Sequence, residues 1–105
     1  MILEYVRYQI PAERDEAFRS AYARAAASLQ ASPHCHGYEL ARCHEDPSCY
    51  VLRIVWGSLD EHLQGFRRSP EFGPFLREVR PFVDDIQEMR HYQPSELVWS
   101  RPHAS

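Results

Sequence analysis

The order of elements in this sequence predicts an α+β domain of the ferredoxin-like, split βαβ type, built on one antiparallel sheet. Three observations carry that prediction. Runs rich in β-branched and aromatic residues occur at 1–10, 36–44 and 50–56. Between the first two lies a long alanine-rich stretch with helical spacing. The third run is followed by two short amphipathic segments and a last strand-like run that ends at Tyr92.

The first strand spans Met1 to Ile10, with Ile2, Val6, Tyr8 and Ile10 on one face and Leu3, Tyr5 and Arg7 on the other. Both faces are largely apolar, so both need cover. Pro11 ends it. Ala12 to Leu29 is the long helix. Glu13, Asp15 and Glu16 crowd its first turn, where the helix dipole favours acids. Ala17, Phe18, Ala21, Tyr22, Ala25 and Leu29 trace one stripe. Ser32-Pro33 stops it, because a residue before proline avoids helical geometry. His36 to His44 and Tyr50 to Trp56 form a hairpin around the turn Glu45-Asp46-Pro47-Ser48.

A compact helical cover follows. Ser58 and Glu61 have capping-box spacing, and Leu59, His62, Leu63 and Phe66 share one face of a helix of about two turns. Ser69 caps a second helix, with Pro70 at its first position and Phe72, Phe75, Leu76 and Val79 facing inward. Pro81 ends it. Pro81 to Tyr92 is the fourth strand, although its alternation is poor. Residues 1–93 thus form the domain and 94–105 a tail, whose Leu97, Val98 and Trp99 are placed to dock on a partner subunit.

Length and composition bound the function. A chain of 105 residues is one domain by length, and dimerisation would help it bury a core. Packing two sheets together is the simplest way to bury the second apolar face. A net charge of −3 argues against a nucleic-acid partner. Mean hydropathy is −0.55, and no apolar run approaches the roughly 20 residues of a membrane helix. The chain opens in a strand-like run without a signal segment, which predicts a cytoplasmic protein. All basic residues are Arg, which removes lysine chemistry. The cysteines Cys35, Cys43 and Cys49 are odd in number and lack Cys-x-x-Cys spacing, so free thiols are expected. His34 and His36 are spaced for a metal but lack an evident third ligand; a surface loop is expected there, and no metal.

Trp56-Gly57-Ser58, with His62, Gly65-Phe66, Ser69-Pro70-Glu71-Phe72 and Phe75 after it, resembles the antibiotic biosynthesis monooxygenase domain family. Ser32-Pro33-His34-Cys35-His36-Gly37-Tyr38 resembles that family's entry into its second strand, with His34 in place of a glycine. The resemblance covers residues 2–93. It implies a dimeric α+β barrel, with a pocket between each sheet and its own helical cover. It also implies oxidation of a small phenol or quinol by O₂ without metal, flavin or other cofactor. One branch of the family degrades heme. Its heme-ligating His falls where this chain has Leu76, its strand-one Asn at Val6 and its ring-distorting Trp at Phe66, so heme degradation is not expected.

That chemistry needs a base, an oxyanion donor and an apolar aromatic wall. The sequence offers His62 or His91 as the base. It offers Arg53 or Tyr92 as the oxyanion donor, although Arg53 also has a cross-hairpin partner in Glu39. Trp56, Phe66, Phe72 and Phe75 are the substrate-binding wall. The cover aromatics suit two other functions equally: a non-enzymatic dimer that binds a small hydrophobic metabolite, and an isomerase-type enzyme on a small metabolite.

Overall fold

The computed structural model describes residues 1–102. Four strands, β1 (Ile2–Gln9), β2 (Cys35–Arg42), β3 (Cys49–Trp56) and β4 (Ile86–Tyr92), form one antiparallel sheet in the order β2-β3-β1-β4. Helices α1 (Asp15–Ala31) and α2 (Phe72–Val79) complete the α+β, ferredoxin-like arrangement. No helix among the described residues is long and apolar enough to cross a membrane.

Register fixes which side chains share a face. On β1, Glu4, Val6 and Tyr8 sit opposite Ile54, Leu52 and Tyr50 of β3. All six are buried. The α1 stripe of Phe18, Ala21, Tyr22, Ala25 and Leu29 is buried in the same core. Alanines at two of these positions keep the helix close to the sheet, and Phe18 packs its ring within 5.3 Å of the rings of Tyr8, Tyr22, Tyr50 and Phe82. The other face carries Leu3, Tyr5 and Arg7 beside Val55, Arg53 and Val51. Nothing among the described residues forms a second layer over it.

Beyond shifts of one or two residues at the other ends, four boundaries differ from the sequence reading. The long helix opens with a 3₁₀ turn at Ala12–Arg14 before α1 begins. The first cover helix is a single π-turn, Glu61–Gly65, followed by a 3₁₀ turn at Phe66–Arg68. Ser58 does accept the Glu61 N–H at 3.0 Å, but the Glu61 carboxylate pairs with His34 instead of closing the box. Leu59 falls outside the inward face and is 42% exposed.

Ser69 and Pro70 form a turn before α2 instead of its first residues. The Ser69 hydroxyl donates back to the Phe66 carbonyl, and the Phe72 N–H reaches the Ser69 carbonyl. Finally, residues 80–85 of the expected fourth strand are a 3₁₀ helix. Pro81 lacks the N–H a ladder needs, Phe82 is buried in the core, and Arg14 ties Asp85 and the Pro81 carbonyl together.

The cysteines are free thiols, with Cys43 and Cys49 facing each other across the hairpin. In the tail, Leu97, Val98 and Trp99 are exposed, and the Arg101 guanidinium lies over the Trp99 ring. The last three residues of that expected tail, 103–105, lie outside the described ones.

Candidate functional site

The site is built outward from Glu4. Strand alternation turns its carboxylate toward the helices, between Ile2 and Val6, and leaves it 5% exposed. A carboxylate there needs partners, because burying it unpaired is costly. Trp56, at the end of β3, donates its indole N–H to Glu4 Oε1 at 3.0 Å. His91 lies directly across the β1–β4 ladder from Glu4, and its Nε2 is 4.0 Å from Glu4 Oε2. His62 reaches the group from the cover. Its ring lies flat on Trp56, with centroids 4.6 Å apart and planes 3° apart. Its Nε2 is 3.5 Å from Glu4 Oε1 and its Nδ1 is 3.0 Å from His91 Nε2.

The last contact joins two ring nitrogens, so one of them carries the hydrogen that the other accepts. His62 and His91 therefore share one proton, with the Glu4 carboxylate 3.5 Å from one ring and 4.0 Å from the other. His91 retains solvent access, with a side chain 27% exposed. The same three residues place donor atoms within 4.8 Å of one another, and they are the set that could grip a divalent ion. Within the trio, the His62–His91 contact is a hydrogen bond, and both rings lie at ion-pair distance from the Glu4 carboxylate.

Burial sets the charges. Desolvation, reinforced by the positive charge of Arg67, pulls His62 down to about 4, so its ring is neutral at pH 7. Desolvation pushes the Glu4 carboxyl above its usual range, against the indole hydrogen bond and the positive charges nearby. The two groups affect stability in opposite senses. Between about 4 and 6.5 the unfolded chain binds the His62 proton more readily than the folded one, so this contribution falls as pH drops through that window. The loss reaches on the order of 3 kcal/mol at the low end of that window. Glu4, raised in the fold, gains stability on acidification. His62→Gln is therefore expected to lose less melting temperature than the wild type between pH 7 and 4.5. Equal losses in thermal scans would contradict the assignment.

A cavity of about 420 Å³ opens beside this cluster. Its floor is the sheet face from Glu4 through Val6 to Tyr8, with Leu52, Ile54 and Trp56. Phe66, Phe72, Phe75, Leu76 and Val79 form the roof. Phe66 is the keystone: its ring meets Trp56 at 5.0 Å, Phe75 at 5.4 Å and Phe72 at 5.6 Å. The volume and apolar walls suit a small aromatic molecule.

The structure thus brings His62, Trp56, Phe66, Phe72 and Phe75 to one cavity and sets His91 behind His62. Arg53 and Tyr92 are elsewhere. Arg53 sits opposite Tyr5 on the open sheet face and pairs with Glu39 at 3.7 Å. Tyr92 sits opposite Leu3 on that face, edge-on to Tyr5. Strand parity turns both away from the helices, so neither can donate to an oxyanion in this cavity. His34 pairs with Glu61, His36 is exposed, and neither joins a metal-binding group among the described residues.

Sequence reasoning missed Glu4, Arg67, Tyr8 and Tyr22 as cavity residues. Glu4 had a readable signal, as a carboxylate at an inward position of an otherwise apolar series. Arg67 had none, since its approach depends on the 3₁₀ turn after Phe66.

Comparison with known proteins agrees with this architecture. A Bacillus subtilis (strain 168) protein, YczJ, is 25% identical over 93 residues, covering 89% of this chain and 98% of that protein. The crystal structure of a candidate antibiotic biosynthesis monooxygenase from Bordetella bronchiseptica is 26% identical, with a TM-score of 0.71 over 90% of this chain and 96% of that one. SnoaB, a cofactor-independent oxygenase from Streptomyces nogalater solved as a mutant, is 21% identical, with a TM-score of 0.73 over 92% of this chain and 95% of its own. The family model for antibiotic biosynthesis monooxygenases matches residues 1–78, the stretch holding β1, Trp56, His62 and the aromatic rings of the roof, and the chain belongs to that family.

Proposed function

We propose that the protein is a cofactor-independent monooxygenase that oxidises a small phenol or quinol with O₂. The observation that carries this reading is the hydrogen-bonded pair of His62 and His91, 3.0 Å apart beside buried Glu4, at the wall of an aromatic cavity. Membership of the family and the likeness to SnoaB, a cofactor-independent oxygenase, support it.

A phenolate is electron-rich enough to reduce O₂ itself, so the protein's task is to make the anion and shelter it. The substrate hydroxyl gives its proton to the Glu4–His62 pair. Empty, His62 binds a proton weakly. A phenolate forming beside it raises that affinity, because an opposite charge nearby favours the cationic ring. The Nδ1–Nε2 contact then hands a proton to His91 and on to solvent. Trp56 holds Glu4 by its N–H and His62 by stacking, which keeps the base in place. Arg67, which lines the cavity and whose charge bears on Glu4 and His62, offers a cation for the phenolate oxygen and takes the role the sequence assigned to Arg53 or Tyr92. For a simple phenol the balance is one O₂ consumed, one oxygen atom gained by the ring as the second quinone oxygen, and one water released. Metal-stripped protein is expected to consume O₂ with at least one member of a panel of phenols and quinols in an oxygen electrode. If none supports uptake, the metabolite-binding reading replaces this one.

The functional unit is a homodimer in this reading. The open sheet face carries a concave patch in which Leu3, Tyr5, Val51 and Tyr92 lie beside Arg7 and Glu88, and residues 97–99 lie exposed beyond β4. A second copy would bury both, with residues 1–93 as the core and 94–105 as an arm, in a cytoplasmic protein. Solution scattering at micromolar concentration is expected to give the mass of a dimer; a monodisperse monomer would contradict it.

A further inference from the structure

The end of the cavity remote from Glu4 holds two tyrosines that the proton chain leaves unused. Tyr8 and Tyr22 are 2% and 6% exposed, and both line the cavity. Their hydroxyl oxygens hydrogen-bond to each other. Each hydroxyl brings one hydrogen, and a single contact uses one of the two. No other hydrogen bond involves either hydroxyl among the described residues. Whichever Tyr donates, the second hydroxyl hydrogen is left without a protein acceptor among the described residues. Buried polar groups seldom go unpartnered, and those that do point to something the protein is built to receive.

The electrostatic setting says what that is. The charges that act on Tyr8 are Glu4 and Asp85, both acids, and burial further discourages a negative charge. Asp85 is itself tied to Arg14. The subsite therefore repels an anion and suits a neutral acceptor. Its position sets the length of the ligand. Tyr8 lies four residue steps along β1 from Glu4, roughly 13 Å. A ligand that reaches both ends needs about two fused rings with an oxygen at each end.

We propose that the Tyr8–Tyr22 pair is a second ligand-binding subsite that donates a hydrogen bond to a neutral carbonyl oxygen of an aromatic ligand whose hydroxyl lies at Glu4 and His62. The proposal rests on the oxygenase reading only for the direction in which the ligand lies.

Calorimetric titration under nitrogen tests it without turnover, so its outcome is independent of whether the protein consumes O₂. The probes are 2-naphthol, 6-acetyl-2-naphthol and 6-hydroxy-2-naphthoate. Wild type is expected to bind the acetyl compound about tenfold tighter than 2-naphthol, as one added hydrogen bond implies. It should bind the carboxylate more weakly than 2-naphthol. In the Tyr8→Phe/Tyr22→Phe double variant the acetyl preference should vanish, while 2-naphthol keeps its affinity. Replacing both partners by rings of the same shape is a mild change, which a thermal scan verifies. A wild-type protein that binds none of the probes, shows no acetyl preference, or binds the carboxylate tightest would overturn the proposal, even if the double variant failed to fold. So would an acetyl preference that survives in a folded double variant.

Discussion

Phe66→Ala is expected to lower the unfolding free energy by about 3–5 kcal/mol, the cost of deleting a fully buried aromatic ring. Phe66 is 2% exposed and among the largest side chains so deeply buried. Its ring joins Trp56 on the floor to Phe72 and Phe75 on the roof. The elements it holds are a π-turn, a 3₁₀ turn and the eight-residue α2, each too short to be stable alone. The cavity lies on one side of the ring already, so neighbouring side chains have little to collapse onto the gap. Against a total of about 5–15 kcal/mol for a domain, such a loss is severe. Urea titration should show a lower midpoint with little change in slope. Leu59→Ala, earlier in the cover and on an exposed side chain, is expected to stay within about 0.5 kcal/mol of wild type. A Phe66→Ala cost as small as that of Leu59→Ala would mean that the roof stands without its keystone.

His62→Ala is expected to lower kcat by about 10²–10⁴-fold on any phenol the protein oxidises, the usual worth of a positioned base. The loss should fall mainly on kcat and leave KM little changed, because His62 offers the substrate a proton acceptor more than a binding surface. It should also exceed the loss in His91→Ala, since His91 only passes the proton on. Arg53→Ala should leave kcat unchanged: its guanidinium is separated from the cavity by the sheet itself. Single-turnover measurements on the three variants, each first checked for a native melting profile, would decide. An unchanged kcat in His62→Ala would remove the base from the mechanism.

The element order and the sheet were legible in the sequence because each rests on a short-range signal. The period-two alternation of 50–56 and the alanine stripe of α1 appear in the structure where the sequence placed them. The fourth strand was harder. Phe82 and Val83 look like strand residues, and only the tertiary contacts of Phe82 with Phe18 and of Asp85 with Arg14 hold that segment in a 3₁₀ turn. Strand parity also decided the site. The poor alternation of 81–92 hid the fact that His91 faces the helices and Tyr92 the open side. Pairing with β1, which places His91 opposite Glu4 and Tyr92 opposite Leu3, settles both. Glu4 was within reach of the same counting rule, whereas the meeting of Tyr8 with Tyr22 depends on the docking angle of α1, which no local pattern encodes.

The most direct test of the account follows oxygen itself. Metal-stripped wild-type protein would be given 1-naphthol under ¹⁸O₂, and the product analysed by mass spectrometry. The expected product is 1,4-naphthoquinone carrying one labelled oxygen, with one O₂ consumed per molecule and water as the other product. The yield should collapse in His62→Ala. Product without label, accumulating hydrogen peroxide, or label incorporated equally well by His62→Ala would show that the Glu4–His62–His91 cluster is not an oxygenase site.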